Sequence, residues 1–222
     1  MPTHTRTARA ARAERAAATR ARIVAAAVPL FVEHGYLETT MAGIARAAGV
    51  AVQTLYLSFG SKVAVLEAAL GAEAEREPDE WITRLAAEPD GRSALRSYTA
   101  ATAMRIERRH PLDAVLRAAA ADPEPGELLE TTRKAALALH AVAVDELSEL
   151  SGFTTRITVQ RATEIVAALL SPESYGLLVV GQGWATAEWA EWVAAHLAAD
   201  LFPPAGLKDA PELSATGGTL GA

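Results

Sequence analysis

From Arg20 the positions Ile23, Ala27, Leu30 and Phe31, continued by His34, follow the i, i+4, i+7, i+8 stripe of an amphipathic helix. Gly35 supplies a left-handed stop at its end. Pro29 lies inside this pattern, removes one amide donor and crowds the carbonyl of Ala25, at roughly 3 kcal/mol in a regular helix interior. A kink or lengthened hydrogen bond is therefore expected near Ala25. Thr39 or Thr40 is a suitable N-cap for a short second helix, 41–48, with Met41, Ile44, Ala45 and Ala48 inward, and Gly49 ends it. A third helix is expected over about 51–58, its buried side marked by Val52, Leu55 and Phe59. Ser61 then caps a fourth, 62–76. Two short helices joined by a glycine turn make a helix-turn-helix arrangement.

Beyond this point the breaks fall at Pro78, Pro89–Gly91, Pro111, Pro123–Gly126, Ser151–Gly152, Ser171–Pro172 and Gly181–Gly183. Helices are expected between them, over roughly 79–88, 92–109, 112–121, 126–149, 155–170, 173–180 and 186–202. No stretch alternates as a strand between hairpin turns, so the fold class is all-α. Apolar runs fall short of the roughly 20 residues that span a bilayer. The expected organisation is a flexible basic arm over 1–14, a helix-turn-helix domain over 15–62, a helical body over 63–203 and a disordered tail over 204–222.

Composition sharpens this picture. Alanine, the best helix former, supplies 51 of the 222 residues, and cysteine is absent. That absence excludes disulfides, thiolate metal sites and cysteine nucleophiles. The formal net charge is −6, which argues against a polyanionic partner until the chain is divided. Residues 1–62 hold 8 Lys and Arg against 3 Asp and Glu, a net of +5, whereas 63–222 hold 13 against 24, a net of −11. A small polyanion-binding module on an acidic body has this asymmetry, as does a solvated basic tail.

The segment from Ile23 to Leu70 resembles the N-terminal domain of the TetR family of bacterial transcriptional repressors. The resemblance rests on Leu30-Phe31, Gly35-Tyr36, Thr39-Thr40-Met41, Ile44-Ala45 and Ala48-Gly49-Val50, then Thr54-Leu55-Tyr56, Phe59, Ser61-Lys62 and Leu66. Ser171-Pro172 through Tyr175, with Gly183-Trp184 and Trp192, looks like the end of many members. The departures are Ala51, where a capping Ser or Thr is frequent, and Gly43, where a helix former is usual.

On the third helix the side opposite Leu55 and Phe59 carries Gln53, Thr54, Tyr56 and Leu57, with Ala51 and Val52 at its start. Gln53 can pair with adenine N6 and N7, and Val52 or Thr54 can meet a thymine methyl. The resemblance implies phosphate contacts for Thr40, Tyr56 and Lys62. A cation in the first helical turn, such as Lys62, opposes the macrodipole unless an anion sits there too. The bland alternatives are packing for Tyr56, plain exposure for Gln53 and an inert tail for Arg6, Arg9, Arg12 and Arg15. Otherwise the arm follows the minor groove or phosphates, as homeodomain arms do.

The resemblance implies that the body dimerises and binds a small ligand. Candidate interface residues are Ile165, Leu169, Trp189, Val193 and Leu197, whose alternative is packing within one subunit. Candidate pocket residues are Trp81, Tyr98, Met104, Leu116, Leu137, His140 and Val144, with Tyr98 and His140 as polar anchors or as satisfied core groups. The histidines lack metal-ligand spacing, and Gly181-Gln182-Gly183 has no preceding strand, so neither a metal, a cofactor nor an enzyme is expected. The expected protein is a cytoplasmic, homodimeric, effector-released repressor on a palindromic DNA operator, without membrane contact. The alternative is an all-α small-molecule-binding protein that no longer reads DNA.

Overall fold

The computed structural model describes residues 3–74, 85 and 87–204. Helix α1, Thr3–Glu38, contains Gly35 at φ +74°, so the regular helix stops one turn early and the chain re-aims there. It is followed by α2, Met41–Ala47, α3, Val52–Phe59, and α4, Lys62–Ala74. The body comprises α5, Gly91–Ala118, α6, Pro123–Ser148, α7, Val159–Leu169, the short α8, Pro172–Tyr175, a π-turn, Gly176–Val180, and α9, Thr186–Leu201. No strand occurs among the described residues.

Two apolar cores divide the molecule. One gathers Ile23, Phe31, Ile44, Leu55, Val65, Leu66 and Leu70 from α1–α4 and adds Leu112, Val115 and Leu116 from the second half of α5. The other gathers Leu95, Tyr98, Val144, Leu147, Val166, Trp189, Val193 and Leu197. The N-terminal core thus extends past the boundary expected at residue 62, through α4 and into the body. Helix α5, about 42 Å long at 1.5 Å per residue, belongs to both cores.

Pro111 does not break α5, contrary to the break expected there, and the angles through Pro29 in α1 are helical. Both prolines are exposed, as are Ala25 and Glu107, the residues four positions earlier. Water can reach the freed carbonyls, and buried neighbours on either side, Ala27 and Phe31 or Ile106 and Leu112, hold each helix in line. The arm expected to be flexible is helical from Thr3 onward, as its alanine and arginine content favours. Residues 205–222 of the expected tail lie outside the described residues.

The body closes where the ends of α5 and α9 meet. Arg92 donates to the Phe202 carbonyl through Nε at 3.0 Å and Nη2 at 2.6 Å. A cation is thereby placed at the negative end of α9. Beside it, a Cβ on Gly91 would lie 2.0 Å from the Phe202 ring, which explains a glycine at the start of α5. The 22 residues Val159–Val180, of mean hydropathy 1.3, pass for a membrane span by length and composition alone, but Arg161, Glu164 and Glu173 interrupt them, so no apolar run of that length occurs there. Their helical path is interrupted at Leu170, where ψ is +59° and Ser171 caps a new helix.

Candidate nucleic-acid interface

The short third helix is anchored by Leu55, which is fully buried. Opposite this anchor, Gln53 is exposed, Val52 and Tyr56 are about half exposed and Leu57 is 82% exposed. Thr54 is half-buried. Val52 therefore does not belong to the buried side; it stands with the residues expected to meet bases, because the N-terminal turn of α3 extends past the core. Ala51 is the N-cap and makes no side-chain hydrogen bond, leaving the first amides of α3 without a side-chain acceptor there.

The neighbouring elements hold α3 from three directions. Thr40 caps α2 by accepting from the Gly43 amide at 3.0 Å, and Thr39 instead ties back to the Gly35 and Leu30 carbonyls. A Cβ on Gly43 would lie 3.2 Å from Thr40 Oγ1, a tight fit. Thr40 itself is exposed. At the other end of α3, Arg20 of α1 donates to the Ser58 carbonyl and places its guanidinium 4.0 Å from the Phe59 ring centre. That contact neutralises the negative end of α3 and adds a cation–π attraction. Nothing in the spacing of the sequence announced it. Helices α3 and α4 bend by 68° across Gly60–Ser61, where Gly60 has φ +78°.

Lys62 has partners within the subunit. Its ammonium donates to the carbonyls of Tyr36 at 2.5 Å and Leu37 at 3.3 Å, and lies 4.2 Å from the Tyr36 ring centre. Within the subunit, the macrodipole conflict at the start of α4 is therefore relieved by the carbonyl end of α1. Burial pushes the Lys62 ammonium below the usual lysine range, with Asp122 and Glu38 pulling it back. Burial, with Glu124 and Asp122, likewise raises the Tyr36 phenol. The α5–α6 corner of the body thus lies within electrostatic reach of the joint between α1 and α4.

Residues 23–69 match the sequence pattern of the bacterial regulatory proteins of the tetR family. The match is to the N-terminal domain of that family. No curated protein matches it in sequence. Among solved structures it is similar to NalD, the secondary repressor of the MexAB-OprM multidrug efflux pump in Pseudomonas aeruginosa. That likeness is at 20% identity and TM-score 0.66, over 86% of this chain and 99% of NalD. The SmeT–triclosan complex is similar at 20% identity and TM-score 0.65, over 87% of this chain and 98% of SmeT. FadR from Bacillus subtilis, in complex with stearoyl-CoA, is similar at 19% identity and TM-score 0.65, over 79% and 96%. At such identities the likeness is one of fold, and it extends through the acidic body as well as residues 23–69.

In that body the residues expected to line a pocket separate. Tyr98, His140 and Val144 come together in the core, where the Tyr98 hydroxyl lies 2.7 Å from His140 Nδ1. His140 is hydrogen-bonded to the Leu170 backbone, so a neutral ring accepting from Tyr98 and donating to Leu170 satisfies both nitrogens. Burial lowers the His140 pKa to about 4 and raises that of Tyr98 to about 12. Met104 and Leu137 face outward, 53% and 44% exposed, and Leu116 belongs to the N-terminal core. Helical periodicity gave these three no assigned direction. Trp81 lies outside the described residues.

The expected interface residues also divide. Trp189, Val193 and Leu197 are fully buried within the subunit, so the outward stripe of α9 is the opposite one. It carries the half-buried Trp192, whose ring meets Trp184 edge-on at 6.0 Å and His196 at 4.4 Å. Ile165 and Leu169 are half-buried, and Leu177 and Val180 on the π-turn are 64% and 63% exposed. The apolar residues of α9 occupy nearly its whole circumference, which is why the sequence did not distinguish its two sides.

Proposed function

We propose that this protein is a ligand-responsive transcriptional repressor that binds a palindromic DNA operator as a homodimer and is released by a small-molecule effector. The observation that carries the reading is the outward face of α3. Ala51, Val52, Gln53, Tyr56 and Leu57 stand clear of a helix anchored by Leu55, braced at both ends by α2 and α1. Such a face suits the major groove, with Gln53 positioned for a base edge and Tyr56 and Thr40 for phosphates. Thr54, half-buried, serves the rim of the contact.

Two recognition helices must sit about one helical turn of DNA apart, some 34 Å, which requires a two-fold dimer. The exposed Leu177 and Val180, with Ile165, Leu169, Trp184 and Trp192, form an apolar surface suited to self-association. SmeT with triclosan and FadR with stearoyl-CoA support an effector role for the body. No cofactor enters the scheme. Because α5 belongs to both cores, an effector that prefers one body packing shifts the spacing of the α3 helices. The coupling is typically about 1–3 kcal/mol. The protein acts in the cytoplasm, where its operator is.

Titration of the full chain against duplex DNA at several salt concentrations tests this, because phosphate contacts impose a steep salt dependence. The expected result is saturable, sequence-dependent binding weakened by apolar compounds that the protein also binds. Ligand binding without any duplex binding by the folded dimer contradicts the repressor reading and makes the chain a small-molecule-binding protein.

A further inference from the structure

Helix α1 begins 20 residues before Ile23, the first fully buried side chain among its described residues. Those residues, Thr3–Arg22, include no large apolar side chain, six arginines and a single acid, Glu14. Positions 12–18 are all exposed. A helix with no apolar face has nothing to bury against the body and nothing to insert into a lipid surface. Its charge is what distinguishes it. Residues 1–22 carry +5 (six arginines against Glu14), and 23–222 carry −11 (15 basic against 26 acidic).

The root of this extension is fixed beside the recognition helix. Arg20 holds the Ser58 carbonyl and covers the Phe59 ring, and the Gly60 amide that ends α3 bonds back to Tyr56 at 2.8 Å. The basic helix therefore leaves the domain within one turn of the exposed Tyr56. Resting on the DNA-reading proposal, we infer that the α1 extension is a second DNA-contacting element. In this role Arg6, Arg9, Arg12 and Arg15 pair with backbone phosphates flanking the half-site that α3 reads.

Its helical form decides which part of the duplex it contacts. An α-helix is about 10–12 Å across and the minor groove about 6 Å wide, so a rigid helix rides on the phosphate ridge instead of threading the groove as an extended arm does. Four arginines at three-residue steps, each rotated about 60° from the last, wind over half of the helix surface, within the sweep of long side chains on a curved backbone. The 17 residues Thr3–Thr19 span about 25 Å, the length of roughly seven base pairs.

The test compares the full-length wild type with the fourfold variant Arg6, Arg9, Arg12 and Arg15→Gln, since Gln is about as good a helix former as Arg. Both are titrated against a duplex enriched by the wild type, with about ten flanking base pairs on each side, at 50 and 200 mM salt. Each phosphate-contacting arginine contributes about 0.9 to the logarithmic salt slope, hence about a three- to fourfold change in affinity over this range. The expected variant has a shallower slope, weaker binding that is most evident at 50 mM, and a shorter hydroxyl-radical footprint on the flanks. A parallel Gln53→Ala protein is expected to lose affinity with its slope intact. A wild type that binds the duplex in a sequence-dependent way, with a fourfold variant identical in affinity, slope and footprint, overturns the inference about the extension alone. A wild type that binds no duplex overturns the DNA-reading proposal as well.

Discussion

The Lys62 ammonium donates to the Tyr36 carbonyl at 2.5 Å and lies 4.2 Å from the centre of the same residue's ring. One side chain thus joins the carbonyl end of α1 to the start of α4 and orders the platform on which α3 stands. With that role, Lys62→Ala lowers unfolding stability by about 1.5–3 kcal/mol, the range for a hydrogen bond to a charged group. It also weakens DNA binding without changing the logarithmic salt slope. Urea denaturation and salt-dependent titration separate the effects. A slope reduced by about 0.9 per subunit would make Lys62 a phosphate contact instead.

Leu55 and Tyr56 are adjacent but face opposite ways. Leu55→Ala removes the anchor of α3 and is expected to cost about 2–5 kcal/mol of stability. Tyr56→Ala, at a half-exposed position, leaves the melting temperature within a few degrees and lowers operator affinity. Gln53→Ala relaxes base preference at one operator position, by about 1–3 kcal/mol of discrimination. Thermal melts and binding to single-base operator variants check the contrast.

His140 makes stability depend on pH. Its folded pKa of about 4 lies below the unfolded 6.5, so between these values the unfolded chain binds a proton that the folded chain does not. Its contribution is therefore complete above pH 6.5 and lost as pH falls towards 4, by roughly 3 kcal/mol. Denaturation of the wild type and His140→Gln at pH 5 and 7.5 should show a clearly smaller pH difference in the variant. Equal differences in the two proteins would contradict the assignment.

Gly91 is held small by a ring. Gly91→Ala directs a Cβ into Phe202 and should destabilise the body by about 1–3 kcal/mol, and Phe202→Leu in the same chain should recover part of that loss. A double-mutant cycle by urea denaturation measures the coupling.

On α9, Trp192→Glu is expected to produce a folded monomer, whereas Trp189→Ala, which empties a fully buried site, should impair folding itself. Sedimentation and circular dichroism of both variants distinguish an outward surface from an inward one.

The legible parts of this molecule are those where period and punctuation agree. Met41, Ile44 and Ala45 between Thr40 and Gly49 specify α2, and Leu55 alone anchors α3, so the outward face of that helix follows almost by subtraction. Proline misled at position 111, where packing outweighed it. Pro29 and Pro111 sit on solvent-facing sides, with buried residues before and after them. The body was less legible because alanine carries little directional information. Trp189 and Trp192 are three positions apart in an alanine-rich helix, and only packing distinguishes core from surface. Lys62 was recognised as electrostatically awkward, but its partner, the end of α1, is 26 positions away and is brought close only by the fold.

The most direct measurement is selection of the purified full-length protein against random duplex DNA at near-physiological salt, repeated after unfolding and refolding to remove any bound ligand. An enriched inverted repeat, with half-sites about one helical turn apart, is the predicted result. Recovery of no sequence by a protein that is folded and dimeric after both preparations would contradict the claim that the outward face of α3 reads DNA.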